Sequence, residues 1–325
     1  EHVSCRTHRR KRGAMRYLHQ DIELFKEAIN IAAYGKSMLS QTAELDYYLS
    51  ETAKGLMENC SCLVMKGAAA LSKCYRVIGR ATGKLEFAAM GAVTADERSA
   101  VIEAVKHTAA ALGCDIKAED FENDINAFIN GNIERLCCRF IYDSVCSVFS
   151  GKESFELIIE CCNASPDDGV SLLPMECAVL DVVRLEAPEY IEEYGAQKTE
   201  LKARDMEIIL AEKLFDICDN YLKGNIRKNS ADIYDIYMLL PLVSTDENFT
   251  EAVKKVRAER ENSVLHPSAQ PDNDMEELLY RIVKDEVYKQ DYNELTSRLI
   301  DTAVSYDDAA SAIYTAADSG VFSAV

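Results

Sequence analysis

Lys66 and Gly67 head the stretch "KGAAALSK" (66–73), and Lys84 and Glu86 stand two apart in "KLEF" (84–87). A glycine turn that opens a helix leaves backbone amides free, and these amides with the helix dipole suit a phosphate. Side chains at i and i+2 of a strand share one face. Two acids at such positions would chelate a divalent ion and align phosphates for in-line displacement. Here the pair is a cation and an anion, Lys84 and Glu86. Further candidates follow along the chain: Glu186 in "VVRLEA" as a third carboxylate, Lys213 in "AEKLFDI", and Asp232 with Asp235 in "NSADIYDIYMLL". The last two lie three apart, on one helix face.

Each candidate has a plainer reading beside it. Lys66 and Lys73 serve equally as exposed lysines flanking a helix. Lys213 fits a solvated position of an amphipathic helix. Asp232 and Asp235 fit a solvated acidic face, with Asp232 the preferred contact if one exists. Asp46 with Tyr47 and Tyr48 fits either support of a site or packing.

The elements that would position these residues follow from periodicity. Apolar residues at helical spacing predict helices over 20–37 and 42–60. "CLVMKG" (62–67) and "KLEFAA" (84–89) predict two strands, with a helix over 69–79 between them. Thr94 as cap, acids in the first turn and Gly113 at the end predict a helix over 94–113. β-branched content predicts strands over 139–145, 155–162 and 177–187, with a turn at "SPDDG" (165–169). From about 190 the periodicity is helical: 205–222, 230–240, 275–288, 292–304 and 306–318. The expected fold class is α+β, a small mixed sheet with helices, followed by an α-helical C-terminal domain. The expected boundaries are a basic extension over 1–14, an α+β domain over 15–195 and a helical domain over 196–325.

Composition narrows the function classes. The chain has 325 residues, 48% hydrophobic and 28% charged, with 14 Gly and 6 Pro. That supports a sizeable core and disfavours a turn-rich all-β fold. A formal charge of −19 opposes a broad grip on a nucleic-acid backbone. Twelve cysteines include "CSC" at 60–62 and "CC" at 137–138 and 161–162, with no C-x-x-C. They are expected to be reduced thiols of a cytoplasmic protein. No run of 18 apolar residues predicts a membrane span. The cluster Arg9–Arg12 has no apolar segment after it and is not a signal peptide; the expected reading is an upstream extension with Met15 as start, beside the alternative of a basic arm for nucleic acid.

Five segments in order carry a resemblance: "ELDYY" (44–48), "KGAAALSK" (66–73), "RATGKLEF" (80–87), "AEKLFDI" (211–217) and "NSADIYDIYMLL" (229–240). Together they resemble the AbiEii/AbiGii-type nucleotidyltransferase toxins. The resemblance implies a nucleotidyltransferase-like fold, with NTP and Mg²⁺ as cofactors. It implies a cognate antitoxin as partner, in a type IV toxin–antitoxin or phage-defence pair, and an RNA (tRNA) or protein acceptor. It places Lys66, Gly67, Ala68, Ala69, Ala70 and Lys73 near the nucleotide. It gives Glu86, Lys213, Asp232 and Asp235 catalytic roles, and makes Glu86 and Glu186 metal ligands. The chain departs from the family's pattern at Ala68 for a glycine, at Ala69 and Ala70 for hydroxyl residues, and at Lys84 and Glu86 for the paired acids. The implied activity is weak or absent; a non-catalytic binding protein on the same scaffold is the alternative.

Overall fold

The computed structural model describes residues 16–322, apart from 81, 93, 119–120 and 148–149. The basic cluster Arg9–Arg12 and the expected start at Met15 lie outside the described residues. Two helices come first, α1 (Ile22–Gly35) and α2 (Ser40–Asn59). Then β1 (Leu63–Lys66) runs into α3 (Gly67–Ala70), which widens into a π-helical turn over Leu71–Tyr75 before β2 (Lys84–Met90). Helix α4 (Ala95–Leu112) has the expected start: Thr94 and Glu97 form a reciprocal capping box, and Gly113 ends it at φ +66°.

The sheet is larger than expected. It adds β3 (Asp115–Lys117), β4 (Arg135–Asp143), β5 (Lys152–Cys162), β6 (Val170–Met175) and β7 (Thr199–Arg204), in the order β3-β4-β5-β2-β1-β7-β6. At its centre β1 pairs antiparallel with β2, parallel β5 flanks β2, and parallel β7 flanks β1. Two expectations are corrected here. Residues 177–187 are not a strand, because Ala178–Glu186 form helix α6. Val179, Leu180 and Val183 are its buried residues, a helical spacing, and it packs on α1 and α2. Residues 199–204 are a strand rather than part of a helical region. The sheet therefore extends past residue 195, and the helical part begins at α7 (Met206–Leu222).

The helical part continues with α8 (Ala231–Leu239), α9 (Glu247–Arg260), α10 (Met275–Lys284), α11 (Lys289–Glu294) and α12 (Tyr306–Asp318). Helix α9 was not foreseen, and residues 299–304 are not helical as expected. Among the described residues no helix is long and apolar enough to cross a membrane.

The pleat sorts side chains onto two faces. Leu63 and Met65 of β1 and Leu85, Phe87 and Ala89 of β2 enter the main core. Helices α2 and α4 pack together on that side, and α2 reaches β1 and β2. The opposite face carries the small apolar cluster Val64, Ala88 and Met90. Along the same alternation lie the polar residues Lys66, Lys84, Glu86 and Glu160, and this face meets α7.

Candidate active site

Gly67 makes the turn between β1 and α3 possible. It sits at φ +61°, where a side chain is strained, and an added Cβ would lie 2.3 Å from Glu86 Oε2. The carboxylate of Glu86 thus rests against the turn that opens the helix. Gly67→Ala is expected to lower stability by about 1–2 kcal/mol through the backbone alone. Urea denaturation of Gly67→Ala with and without Glu86→Ala checks this. Removing Glu86 relieves the contact and leaves the backbone cost in place.

The remaining turn residues behave differently from expectation. Gly67 is the left-handed residue of the turn, and Ala68 has no positive φ. A glycine at 68 is therefore not required by the backbone. Ala68, Ala69 and Ala70 are buried in the main core. Side chains at 69 and 70 face protein, so any contact with a ligand there would come from backbone amides.

Lys84 and Glu86 share one face of β2, as their spacing requires, and pair with each other: Lys84 Nζ lies 3.2 Å from Glu86 Oε1. Burial would raise the Glu86 carboxyl, but Lys84, Lys213 and Lys66 outweigh it and hold the group below its ordinary value. Glu86 in turn raises Lys84, against burial and with help from Asp232. Helix α7 meets this face through Glu212, 3.5 Å from Lys66 Nζ, and carries Lys213. Lys213 Nζ is 2.6 Å from Asp232 Oδ1 and 2.7 Å from Asp235 Oδ2. Burial disfavours the Lys213 ammonium, and the two carboxylates more than offset it. Arg80, to which no role was given, clamps Asp235 with two bonds of 2.7 Å. Burial pushes Asp235 up, while Lys213 and Arg80 bring it below its ordinary value. Burial keeps Asp232 above its own, despite Lys213.

The structure thus sets Glu86 and its partner Lys84 at Gly67, and pairs Lys213 with Asp232 and Asp235, from where Lys213 acts on Glu86 and Asp232 on Lys84. It does not bring Glu186 or Lys73 there. Glu186 ends α6, exposed, and does not stand on a strand, because the segment that carries it is helical. Lys73 directs its ammonium to Asp46 Oδ1 (2.6 Å), the Asp46 carbonyl (3.0 Å) and Ser50 Oγ (2.8 Å). Its three donors are used, which leaves none for a phosphate. Asp46 also accepts from the amide of Ala178. "ELDYY" is therefore a joint between α2, the π-helical turn and α6.

Lys66 lies on the site's face but is held by Glu160 at 2.7 Å and Glu212 at 3.5 Å. Glu160 was missed. It stands on β5 opposite Ala88, on the same face as Glu86. An acid inside the apolar run "FELIIECC" was the available signal. Arg135 also binds it, donating from Nε at 2.6 Å. Burial raises Glu160, and Lys66 with Arg135 drive it well below its ordinary value. Beyond it lies a cavity of about 320 Å³ whose wall includes Lys66, Glu160, Glu212, Arg260 and His266.

A divalent ion does not fit the residues on this face. Of the two positions that would chelate it, one is Lys84. Glu86 is bound to that lysine, and Glu160 is bound to two cations. Among the described residues, Asp216, Asp219 and His266 also converge, with ligand atoms within 4.8 Å of one another. That group is closed internally. Asp219 accepts from the amide and hydroxyl of Ser268 and contacts His266 Nδ1, while Arg260 binds Asp216.

The family profile described as nucleotidyl transferase AbiEii toxin, Type IV TA system, matches residues 56–313. No curated protein matches the chain. Among solved structures, the chain is similar to the crystal structure of JHP933 from Helicobacter pylori. Identity is 15%, coverage is 86% of this chain and 91% of that one, and the TM-score is 0.47. It is also similar to a second H. pylori structure, described as a nucleotidyltransferase by inference. There identity is 15%, coverage is 86% and 95%, and the TM-score is 0.46.

Proposed function

The chain belongs to the AbiEii nucleotidyl transferase toxin family, and from that premise we propose that it is a toxin homologue in which transfer from an NTP is weak or absent. The observation that carries this reading is the 3.2 Å ion pair between Lys84 and Glu86 on one face of β2. A cation occupies the position where the reaction needs an anion. The reading includes a cognate antitoxin of the type IV kind, a role in phage defence, a cytoplasmic setting and an RNA or protein acceptor. Incubation with labelled NTP and Mg²⁺ tests it, with incorporation into bulk RNA or into the protein itself as readout. Background incorporation is the expected result. Robust transfer that survives Glu86→Ala would place the active site elsewhere.

A second reading, a non-catalytic nucleotide- or partner-binding protein, is favoured by one observation. Arg80, Lys213, Asp232 and Asp235 are paired with one another, Asp232 half-buried and the rest enclosed, although the acid pair is broken. Nucleotide binding that is equal with and without Mg²⁺ would support this reading.

A further inference from the structure

"CSC" at 60–62 has no part in the site described above. Both cysteines are free thiols, as expected, and they lie side by side. Cys60 caps α2 in an extended conformation, its amide donating to the Leu56 carbonyl at 2.9 Å. The chain then turns, and the Leu63 amide donates to the Cys60 carbonyl as β1 begins. This turn brings the two sulfurs to 3.3 Å, one thiol donating to the other. Cys60 is 7% exposed, and Cys62 is half-buried.

We propose that Cys60 and Cys62 form a redox-modification site, at which a hydroperoxide converts the adjacent dithiol into an intrachain disulfide. The Cys60 thiolate attacks a peroxide oxygen. An S–O bond forms, the O–O bond breaks, and the departing hydroxide takes a proton to leave as water. The Cys62 sulfur then displaces the hydroxyl from Cys60. The S–S bond forms, the S–O bond breaks, and the Cys62 proton leaves with the hydroxide as a second water. Two electrons pass from the thiols to one hydrogen peroxide.

Two features select this pair among the cysteines. The sulfurs already touch, so closure to the ~2.05 Å of a disulfide needs a side-chain adjustment. The chemistry is also asymmetric. The contact between the two thiols lowers the Cys60 thiol to about 7, against burial, and raises the Cys62 thiol. By contrast, burial pushes Cys74, Cys161 and Cys162 up to about 11, and Cys114, Cys138 and Cys177 up to about 12. A thiolate is the nucleophile in this step, and the other buried thiols supply little of it.

Trypsin releases residues 55–66, "GLMENCSCLVMK", which hold these two cysteines and no other. After treatment of the folded full chain with hydrogen peroxide, this peptide is expected to lose two hydrogens, about 2 Da. It should resist alkylation until reduced. Oxygen added at Met57 or Met65 raises the mass and is distinguished directly. Cys62→Ser is expected to hold Cys60 as a sulfenic acid that dimedone traps. Cys60→Ser should slow oxidation at Cys62 by at least about tenfold, since the activated thiolate is gone. Two alkylated cysteines in this peptide, at a peroxide dose that oxidises others, would overturn the proposal. A crosslink from Cys62 to Cys161 in place of Cys60 would do the same. The outcome is independent of whether the chain transfers nucleotides.

Discussion

Lys84→Asp together with Glu86→Asp is expected to raise affinity for Mn²⁺ or Mg²⁺ by about ten- to a hundredfold, equivalent to about 1.4–2.7 kcal/mol. The change turns one cation and one anion into two anions on one strand face, at the spacing that chelates. Two unit charges at about 4 Å interact by about 4 kcal/mol near a protein surface. Lys84 keeps 42% of its side chain exposed, so solvent screens part of that effect. Titration by calorimetry, or by the paramagnetic effect of Mn²⁺ on water relaxation, reads the affinity. Transfer from labelled NTP should appear in the same variant and not in the parent. Unchanged Mn²⁺ affinity would show that this face is not where the ion belongs. Adding Ala70→Ser is expected to harm, not help. Residue 70 is fully buried in the core, and an unpaired hydroxyl there costs about 1–3 kcal/mol.

Lys213→Met is expected to destabilise the fold by about 3–5 kcal/mol, the usual consequence of removing one partner of a buried charged set. Lys213 is 3% exposed and binds two carboxylates at 2.6 and 2.7 Å. Asp235 would keep Arg80, and Asp232 would lose its partner. Burial already holds Asp232 above its ordinary value, and loss of Lys213 raises it further. An acid whose folded pKa lies above its unfolded one contributes stability below the unfolded pKa and loses it as pH rises through the folded pKa. The deficit of the variant should therefore be largest near neutral pH and shrink toward pH 5. Lys213→Met with Asp232→Asn should recover most of the loss. Guanidinium melts of the three proteins at two pH values check each point. A deficit below about 1 kcal/mol at pH 7 would mean that the set is solvated.

The elements around the turn were legible because local signals agreed. A short apolar run, a glycine and a helical run mark β1, Gly67 and α3, and Thr94 with Glu97 marks α4. The amphipathic patterns of α7 and α8 likewise placed Lys213, Asp232 and Asp235 on helices. The strand β7, "TELKAR", was not legible, because its polar residues conceal a strand held between β1 and the edge strand β6. Its Arg204 is fully buried and binds Glu259, 55 positions away, a pairing that only the fold creates. β6 carries Pro174 and lies at the sheet edge, where proline is tolerated. Propensity misread α6, since its valines favour strands until the helix buries them against α1 and α2. Lys73 was legible as a lysine beside the turn, but not its direction, which Asp46 and Ser50 determine from 27 and 23 residues upstream.

The parallel pairing of β1 with β7 also governs how the molecule is assembled. Met65 finds its partner Ala203 only after an intervening 137 residues have been laid down. Until then one edge of β1, beside the turn at Gly67, has no neighbour. Closing so long a loop carries an entropy cost before any contact offsets it, and folds rich in such pairings form slowly. Helix α7 begins at Met206, directly after β7, so the same late event brings Lys213 to Glu86. A nascent chain that has not reached residue 204 has the glycine turn but neither the strand that flanks it nor the lysine that faces it. During synthesis, the strand that flanks β1 and the helix that carries the buried cation emerge in immediate succession.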